Sequence, residues 1–306
     1  MALAARLFES VTATVRGKDD VVRLALVGLL SGGHLLVEDL PGTGKTLLAK
    51  SFAAALGGRF GRVQCTPDLL PSDITGTSVY SPADGSWTFR PGPVFANVVL
   101  VDEVNRASPR TQAALLEPME EGQVTVDGAT RPLPEPFFCI ATQNPHGQVG
   151  TFPLPESQLD RFALTIAMGL PGRVAEREIL TGRGGTEVLD HQVAVADPGS
   201  VAAAIRAVHD VYCATAVVDY VLDLADATRA SAHLSLGASP RAAVGLLHAA
   251  RAHAVVAGRL HVTPDDVQAV AIPALAHRLS VGGTPDTGAA ARVLGEVLAT
   301  TPVPRP

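Results

Sequence analysis

The chain has 306 residues, 47% hydrophobic and 18% charged, which is enough apolar material for one large domain or two ordinary ones and excludes a disordered chain. Its 24 basic and 30 acidic residues give a net charge of −6, which argues against a dedicated nucleic-acid-binding surface. Three isolated cysteines, Cys65, Cys139 and Cys213, have neither metal-ligand spacing nor the even number of a disulfide framework, so we expect a reducing compartment, the cytoplasm.

The first segment, residues 1–15, predicts an amphipathic helix. Leu3, Leu7 and Val11 recur at a spacing of four, and charged residues interrupt the apolar run, which distinguishes the segment from a secretory signal. Nowhere does an apolar run approach the roughly 18 residues of a transmembrane helix, so we expect no membrane-spanning segment.

Helix and strand patterns alternate between residues 18 and 168. The strand patterns are strongly apolar, which is typical of strands that are buried on both faces. We therefore predict an α/β fold in which helices cover a parallel sheet. The predicted strands are residues 35–37, 60–64, 98–101, 137–141 and 164–168.

A phosphate-binding loop follows the first predicted strand. Residues 39–46 read Asp-Leu-Pro-Gly-Thr-Gly-Lys-Thr, a Walker A motif, and a helix pattern follows. Its two glycines let the backbone aim N–H groups at phosphate oxygens, beside the positive end of that helix. Lys45 would reach the β- and γ-phosphates of ATP, and the Thr46 hydroxyl would bind Mg²⁺. The candidate ATP-binding residues are Pro41, Gly42, Thr43, Gly44, Lys45, Thr46 and Leu47.

Asp39 occupies the first position of the motif, where the consensus has glycine. Aspartate tolerates a left-handed backbone better than most residues, so we expect the turn to form. A negative charge beside a triphosphate is unusual, and it keeps open a low-turnover nucleotide-gated switch as an alternative to an active ATPase.

A second nucleotide motif ends the strand predicted over residues 98–101. Asp102 and Glu103 follow four apolar residues, as in a Walker B motif. We expect Asp102 to hold Mg²⁺ and Glu103 to act as the general base that activates water. A helix pattern then runs to Glu121 from the N-cap Ser108.

Two hairpins interrupt the alternation of helices and strands. Each predicted turn contains Asp-Gly, at residues 84–85 and 127–128, between β-forming residues. We expect both hairpins to face a pore or a partner, with Tyr80, Trp87 and Phe89 of the first exposed; packing of these aromatic residues on the parent domain is the alternative.

The pattern changes after about residue 170, where a Gly-rich stretch precedes helical segments only. We predict a P-loop core over residues 1–175, a connector over 176–199, a small all-helical lid over 200–285 and a frayed tail over 286–306.

Several strings resemble the MoxR family of AAA+ ATPases. Residues 64–73 read QCTPDLLPSD, residues 89–95 FRPGPVF, residues 102–109 DEVNRASP, residues 141–145 ATQNP, residues 158–162 QLDRF and residues 237–242 GASPRA. The resemblance covers roughly residues 15 to 280 and implies an AAA+ core with two hairpin insertions and a helical lid.

The resemblance also implies roles for polar residues outside the two motifs. Asn144 matches the sensor 1 residue that orients the attacking water, and Arg161 matches the arginine finger that enters a neighbouring subunit's site. Arg106 and Arg110 are rival finger candidates. Arg241 matches the sensor 2 arginine, in its own site or a neighbour's. Residues 15–17 resemble the segment that borders the adenine.

Each of these residues also has a simpler interpretation. Asn144 precedes a proline and can form a turn, Arg161 can pair with Asp160 at the surface, and Arg241 can be solvated. Arg241 lies in the first turn of its helix, where a cation opposes the helix dipole by roughly 0.3–1 kcal/mol, which favours an anion opposite it.

The resemblance implies a Mg²⁺-dependent ATPase that forms a homo-oligomer, most simply a hexameric ring, and that remodels or matures partner proteins. Proteins with von Willebrand A domains are the expected clients. A DNA-directed AAA+ motor or regulator, and the motor subunit of a metal chelatase, are alternatives on the same fold; the acidic charge and the lack of an appended helix-turn-helix disfavour nucleic acid.

Overall fold

A computed structural model describes residues 1–83, 85–144, 150–181 and 185–304. The α-helices are α1 Ala2–Thr14, α2 Asp19–Leu30, α3 Lys45–Ala55, α4 Pro71–Thr75, α5 Pro109–Ala113, α6 Leu116–Glu121, α7 Glu156–Leu159, α8 Arg173–Leu180, α9 Thr186–Leu189, α10 Pro198–His209, α11 Thr215–Ala230, α12 Pro240–Val256, α13 Pro264–Leu275 and α14 Thr287–Thr300. Short 3₁₀ helices span Val104–Arg106 and Ala276–Arg278.

The strands are β1 His34–Glu38, β2 Phe60–Gln64, β3 Gly76–Ser81, β4 Ser86–Pro91, β5 Val98–Asp102, β6 Gln123–Val126, β7 Ala129–Pro132, β8 Phe138–Gln143, β9 Phe162–Ile166, β10 Ser280–Val281 and β11 Thr284–Pro285. β2, β5, β8, β1 and β9 form a parallel sheet in that order, and helices pack on it. The predicted α/β fold is thereby confirmed. Its central strands β1, β5 and β8 are buried almost throughout because their residues are apolar on both faces.

The helices of the second half of the chain pack against the first half. α12 and α13 lie against the edge strand β9 and α2, and their apolar residues share one hydrophobic cluster with α1 to α3. Leu246 of α12, Val267 of α13 and Leu26 of α2 belong to this cluster and are each at most 1% exposed.

Both predicted hairpins are present, as β3–β4 and β6–β7. The turn of the second contains Asp127 and Gly128, both with positive φ, as an Asp-Gly turn requires. In the first, Gly85 has φ +61°, whereas Asp84 lies outside the described residues. Tyr80 and Trp87 are exposed, as predicted.

The prediction of exposure was wrong for Phe89. Its ring contacts that of Phe95, with ring centroids 5.6 Å apart, and the guanidinium carbon of Arg131 lies 4.0 Å from its centroid. These contacts leave Phe89 half-buried between the two hairpins and the body of the protein.

The single helix predicted from Ser108 to Glu121 is instead the pair α5 and α6, which meet at Ala114 and Leu115. Pro118 explains the break, because its ring clashes with the carbonyl four residues earlier, that of Ala114, and it has no N–H to donate.

The prediction of a frayed tail was also wrong. Residues 287–300 form α14, whose N-cap Asp286 accepts a hydrogen bond from the N–H of Ala289 at 2.9 Å. Leu294 and Val297 are buried on its inner face. The Thr287 hydroxyl also donates to Glu38 at the end of β1, at 3.3 Å, so α14 begins beside the phosphate-binding loop.

Candidate nucleotide-binding site

The phosphate-binding loop connects β1 to α3 at the carboxyl edge of the sheet. Gly42 has φ +83° and Gly44 has φ +98°, so the backbone uses conformations that glycine adopts without strain. α3 begins at Lys45, directly after Gly44, so the positive end of the helix dipole faces the loop. The sequence motif therefore has the strand-loop-helix context that it requires.

A cavity of about 430 Å³ lies over this loop. The described residues that line it are Asp39, Pro41, Gly42, Gly44, Lys45, Thr46, Leu47, Lys50, Asp102, Glu103, Thr142, Gln143, Asn144, Gly185, Thr186 and Leu189. Thr43 is the predicted ATP-binding residue that does not line it, because its side chain is buried and its hydroxyl donates to the Leu40 carbonyl at 3.2 Å.

The Lys45 ammonium group lies against the loop itself. Its Nζ donates to the carbonyl oxygens of Asp39 at 2.9 Å and Leu40 at 3.0 Å. Both acceptors are neutral, so a phosphate oxygen would be a stronger partner for this cation.

The structure shows why aspartate fits at position 39. Its backbone is not among the positive-φ residues of the described chain, so no left-handed turn is needed there, contrary to the sequence-based expectation. The carboxylate accepts hydrogen bonds from the N–H groups of Leu40 at 2.6 Å and Gly169 at 2.5 Å. It is thereby held between the loop and the segment that follows β9.

Lys18 stabilises the same region. Its Nζ donates to the carbonyls of Met168, Gly169 and Leu170 at 2.6, 2.9 and 2.6 Å. Burial lowers the pKa of Lys18, and the charge of Asp39 opposes that shift. Asp39 therefore has a nearby cation and two N–H donors, which reduce its conflict with a bound triphosphate.

The acidic pair lies at the end of β5, across the cavity from the loop. Asp102 Oδ1 accepts a hydrogen bond from the Thr142 hydroxyl at 2.7 Å, and Oδ2 accepts one from Arg62 at 2.9 Å. The same Thr142 oxygen accepts the Glu103 N–H at 2.8 Å. Glu103 has φ +56°, a left-handed conformation that is uncommon for glutamate and that occurs at functional sites.

Asn144 follows β8 and reaches the same cavity as Glu103. The side-chain nitrogen of Asn105 lies 3.4 Å from the Asn144 carbonyl oxygen. The structure thus brings the loop, the acidic pair and Asn144 together around one space.

The predicted arginines lie elsewhere. Arg161 immediately precedes β9, at the amino edge of the sheet, and Arg241 lies in the first turn of α12; neither is among the described residues that line the cavity. Both contact Glu120 of α6, at 2.5 Å from Arg161 and 3.1 Å from Arg241. These contacts differ from the simpler interpretations. Arg161 pairs with Glu120 instead of with Asp160, and Arg241 is paired with Glu120 as well as partly exposed.

The remaining candidates differ among themselves. Arg106 contacts Glu103 of its own chain at 2.7 Å, and Arg110 is exposed. Arg16 and Gly17 line a separate cavity of about 510 Å³ beside α8 and are not among the described residues that line the cavity over the loop; that residues 15–17 border the adenine stays a prediction.

Residues 34–164 match the model of the ATPase family associated with various cellular activities (AAA), and residues 226–294 match an AAA lid domain. The chaperone MoxR1 of Mycobacterium tuberculosis is 43% identical over 86% of this chain and 72% of that protein. The protein MoxR of Paracoccus denitrificans is 34% identical over 95% of this chain and 93% of its own length. The chain belongs to the MoxR family of AAA+ ATPases.

A solved structure agrees with this MoxR-family assignment. A protein of Cytophaga hutchinsonii, provisionally described as an ATPase, superposes with a TM-score of 0.89 and is 33% identical, with 99% of this chain and 96% of that one covered. The predicted core with hairpin insertions and a helical lid is therefore shared with a solved relative. Among the described helices of this MoxR-family chain, none is both long and apolar enough to cross a membrane.

Sequence reasoning missed several contacts of this site. Thr142, which links Asp102 to Glu103, lies in the string ATQNP, but nothing local distinguishes it from a buried strand residue. Arg62 is on β2 and reaches Asp102 only because β2 and β5 are neighbours. Thr186 and Leu189 line the cavity from α9, in the segment predicted to be a connector.

Burial sets the protonation of the thiol beneath the acidic pair. The pKa of Cys65 is raised to about 12, first by burial and then by the charges of Asp102 and Glu103. The thiol therefore stays neutral near pH 7, so Asp102 and Glu103 are the groups here that can bind a cation. Among the described residues, no group of three or more His, Cys, Asp or Glu is placed to hold a metal.

Proposed function

We propose that this chain binds ATP with Mg²⁺ and hydrolyses it. The observation that carries the proposal is the single cavity shared by the glycine loop, Lys45, Asp102 and Glu103. The loop N–H groups and Lys45 bind the phosphates, and the oxygens of Thr46 and Asp102 fit the hard-oxygen preference of Mg²⁺. Bound Mg²⁺ neutralises charge on the phosphates.

Glu103 acts in this proposal as the general base for the attacking water, and Asn144 orients that water. Both line the same cavity as Lys45. The left-handed backbone of Glu103 and the hydrogen bond from its N–H to the Thr142 hydroxyl hold the Glu103 backbone in one position. This favours a positioned base over a mobile surface residue.

We further propose that Arg161 and Arg241 act on the nucleotide of a neighbouring copy. β1 and β9 are adjacent and parallel, with His34 opposite Phe162. Arg161 precedes β9, whereas Lys45 lies beyond the far end of β1, so a five-residue strand, about 15 Å long, separates the two levels. A head-to-tail ring, most simply a hexamer, would bring one copy's arginines to the next copy's phosphate.

The proposed biological role is the remodelling or maturation of partner proteins, with proteins that contain von Willebrand A domains as clients. The name of the mycobacterial relative, a chaperone, supports protein clients. The hairpin β3–β4, which exposes Trp87 and Tyr80, is a surface suited to contact them. The acidic charge favours protein over nucleic acid, and we place the protein in the cytoplasm.

The test is an ATPase assay on mixed variants. Lys45→Ala removes phosphate binding and Arg161→Ala removes the arginine supplied to a neighbour, so each alone is expected to be inactive. Mixed, they should regain part of the activity, because some interfaces pair an intact loop with an intact Arg161. Normal binding of a labelled ATP analogue by Lys45→Ala would overturn the nucleotide site, and failure of the mixture to regain activity would overturn the shared site.

A further inference from the structure

Glu120 of α6 binds both Arg161 and Arg241, the two predicted arginines that lie away from the nucleotide cavity. Its Oε2 accepts a hydrogen bond from Nη2 of Arg161 at 2.5 Å, and its Oε1 accepts one from Nη1 of Arg241 at 3.1 Å. One carboxylate therefore links Arg161 of the core, just before β9, to Arg241 of the helical lid, in the first turn of α12. The arginine bonds lower the pKa of Glu120, that of Arg161 most, so Glu120 is ionised near pH 7.

Asp160 and Arg278 complete this arginine cluster. Asp160 lies 3.4 Å from Nε of Arg241 through Oδ2 and 3.4 Å from Nε of Arg278 through Oδ1. The described cluster thus holds three guanidinium groups and two carboxylates, a surplus of one positive charge. Such a surplus suits the approach of an anion.

The three arginines differ in their exposure. The side chain of Arg278 is 6% exposed, and it donates to the Phe162 carbonyl at 2.9 Å, which makes it an internal link between lid and core. The side chains of Arg161 and Arg241 are 18% and 50% exposed. The pair bound by Glu120 is therefore the part of the cluster that another molecule can reach.

Arg161 is incompletely bound within the described residues. Its Nη1 donates to the Ser157 carbonyl and its Nη2 to Glu120, but its buried Nε has no hydrogen-bond partner there. Glu120 supplies the carboxylate that fixes the direction of the guanidinium.

We propose that Glu120 is a positioning residue that holds Arg161 and Arg241 side by side for the phosphate of a neighbouring copy. This inference rests on the proposed function of the two arginines. Two guanidinium groups repel each other, and an ionised carboxylate that gives one oxygen to each offsets that repulsion and sets their spacing. Without the carboxylate, the arginines separate and fewer of their arrangements converge on one phosphate.

The first test compares Glu120→Gln with Glu121→Gln. The first variant keeps the shape of the side chain but removes the charge between the arginines. Glu121 is the next residue of the same helix and accepts a hydrogen bond from Gln123 at 2.7 Å, so its substitution is a matched control. We expect Glu120→Gln to lower kcat on the order of tenfold to a hundredfold with little change in KM for ATP, and Glu121→Gln to leave both unchanged.

Thermal melting and binding of a labelled ATP analogue verify that both variants fold and keep the loop. Glu120→Asp, which retains the charge on a shorter side chain, should recover part of kcat. Wild-type kcat for Glu120→Gln, or an equal loss in Glu121→Gln, would overturn the positioning role. A higher kcat than wild type would overturn it too, because Glu120 would then restrain the arginines.

The second test asks on which side of the interface Glu120 acts. Mixed with Lys45→Ala, the Glu120→Gln variant should regain activity, as Arg161→Ala does. Mixed with Arg161→Ala, it should not, because both defects lie on the same face. Recovery with Arg161→Ala would overturn the inference. If Lys45→Ala and Arg161→Ala themselves fail to complement, the proposed shared site is what has failed.

Discussion

Arg106 donates from Nη1 to Oε2 of Glu103 at 2.7 Å, so the carboxylate proposed as the general base is paired with a cation three residues along its own chain. The pair is partly exposed, and such pairs contribute roughly 0.2–1 kcal/mol. Arg106 holds one of the two carboxylate oxygens and stabilises the ionised carboxylate, so the pair makes transfer of a proton from water to Glu103 less favourable. The pair therefore opposes hydrolysis by at most its own interaction energy.

This contact leads to a prediction that separates Arg106 from Arg161. Arg106→Gln should bind ATP normally and raise kcat by at most about fivefold, the factor that corresponds to 1 kcal/mol. Arg161→Ala should instead lower kcat by on the order of a thousandfold or more, as removal of an arginine finger does. Steady-state ATPase assays measure both values. A loss in Arg106→Gln as large as that in Arg161→Ala would return Arg106 to the position of finger candidate.

A second prediction concerns the buried hydroxyl that links the acidic pair. Thr142→Val removes the donor to Asp102 and leaves the Glu103 N–H without its acceptor, which should cost about 1–3 kcal/mol. We expect a lower melting temperature and a higher Mg²⁺ concentration for half-maximal ATPase activity.

Thr165 of β9 is a matched control for this substitution. It is also buried, but its hydroxyl has no hydrogen-bond partner among the described residues. Thr165→Val should therefore be neutral or stabilising and should leave the Mg²⁺ dependence unchanged. Equal effects of the two substitutions would show that the hydrogen bonds of Thr142 do not specifically support stability or Mg²⁺ dependence.

A third prediction follows from His34 at the start of β1. Burial lowers its pKa from 6.5 to about 4, while its ring accepts the Cys139 N–H at 3.2 Å and donates to the Met119 carbonyl at 2.9 Å. Between these pH values the unfolded chain binds a proton that the folded chain excludes. The free energy of unfolding should therefore be highest above pH 6.5 and fall as the pH drops towards 4, by about 3 kcal/mol for this group.

Urea unfolding at a series of pH values measures this slope. His277 adds to it in the same direction, because burial lowers its pKa to about 3. His34→Gln keeps a donor for Met119 but does not titrate, so it should remove one group's contribution from the pH dependence of the free energy of unfolding. His233→Gln, at an exposed position, should leave that pH dependence unchanged. An unchanged slope in His34→Gln would contradict the buried neutral state.

The parts of the site that were predictable from sequence are those that local chemistry determines. Gly42 and Gly44 are needed wherever a backbone wraps a phosphate, and Asp102 directly follows four apolar strand residues. Both features lie within a few residues of the strand that places them, so the pattern and the structure agree.

The features that sequence reasoning missed depend on distant parts of the chain. Glu120 meets Arg161 and Arg241 only after α6, β9 and α12 have packed together, and no local spacing encodes that. α14 was missed for another reason: its nearby prolines suggested fraying, although Ala290, Leu294 and Val297 already had the spacing of a buried helical face.

The last prediction concerns the hairpin β3–β4, on which aromatic residues of the same face differ in exposure. Trp87 is 70% exposed and Tyr80 48% exposed, and their rings contact each other with centroids 5.3 Å apart. Phe89 on the same strand as Trp87 packs instead on Phe95 and beneath Arg131. One strand therefore carries an aromatic residue available to a partner and another that holds the hairpin to the body.

Trp87→Ser should leave the melting temperature and basal ATP hydrolysis unchanged, because the ring buries little surface in the isolated chain. Phe89→Ala should lower stability by roughly 0.5–3 kcal/mol, since it removes packing between the hairpins. Replacing residues 83–86 by a short Gly-Ser turn should likewise spare basal hydrolysis but change hydrolysis stimulated by a protein client. If Trp87→Ser destabilises the chain as much as Phe89→Ala does, the exposed aromatic pair is part of the hairpin's own packing and is not a surface for a partner.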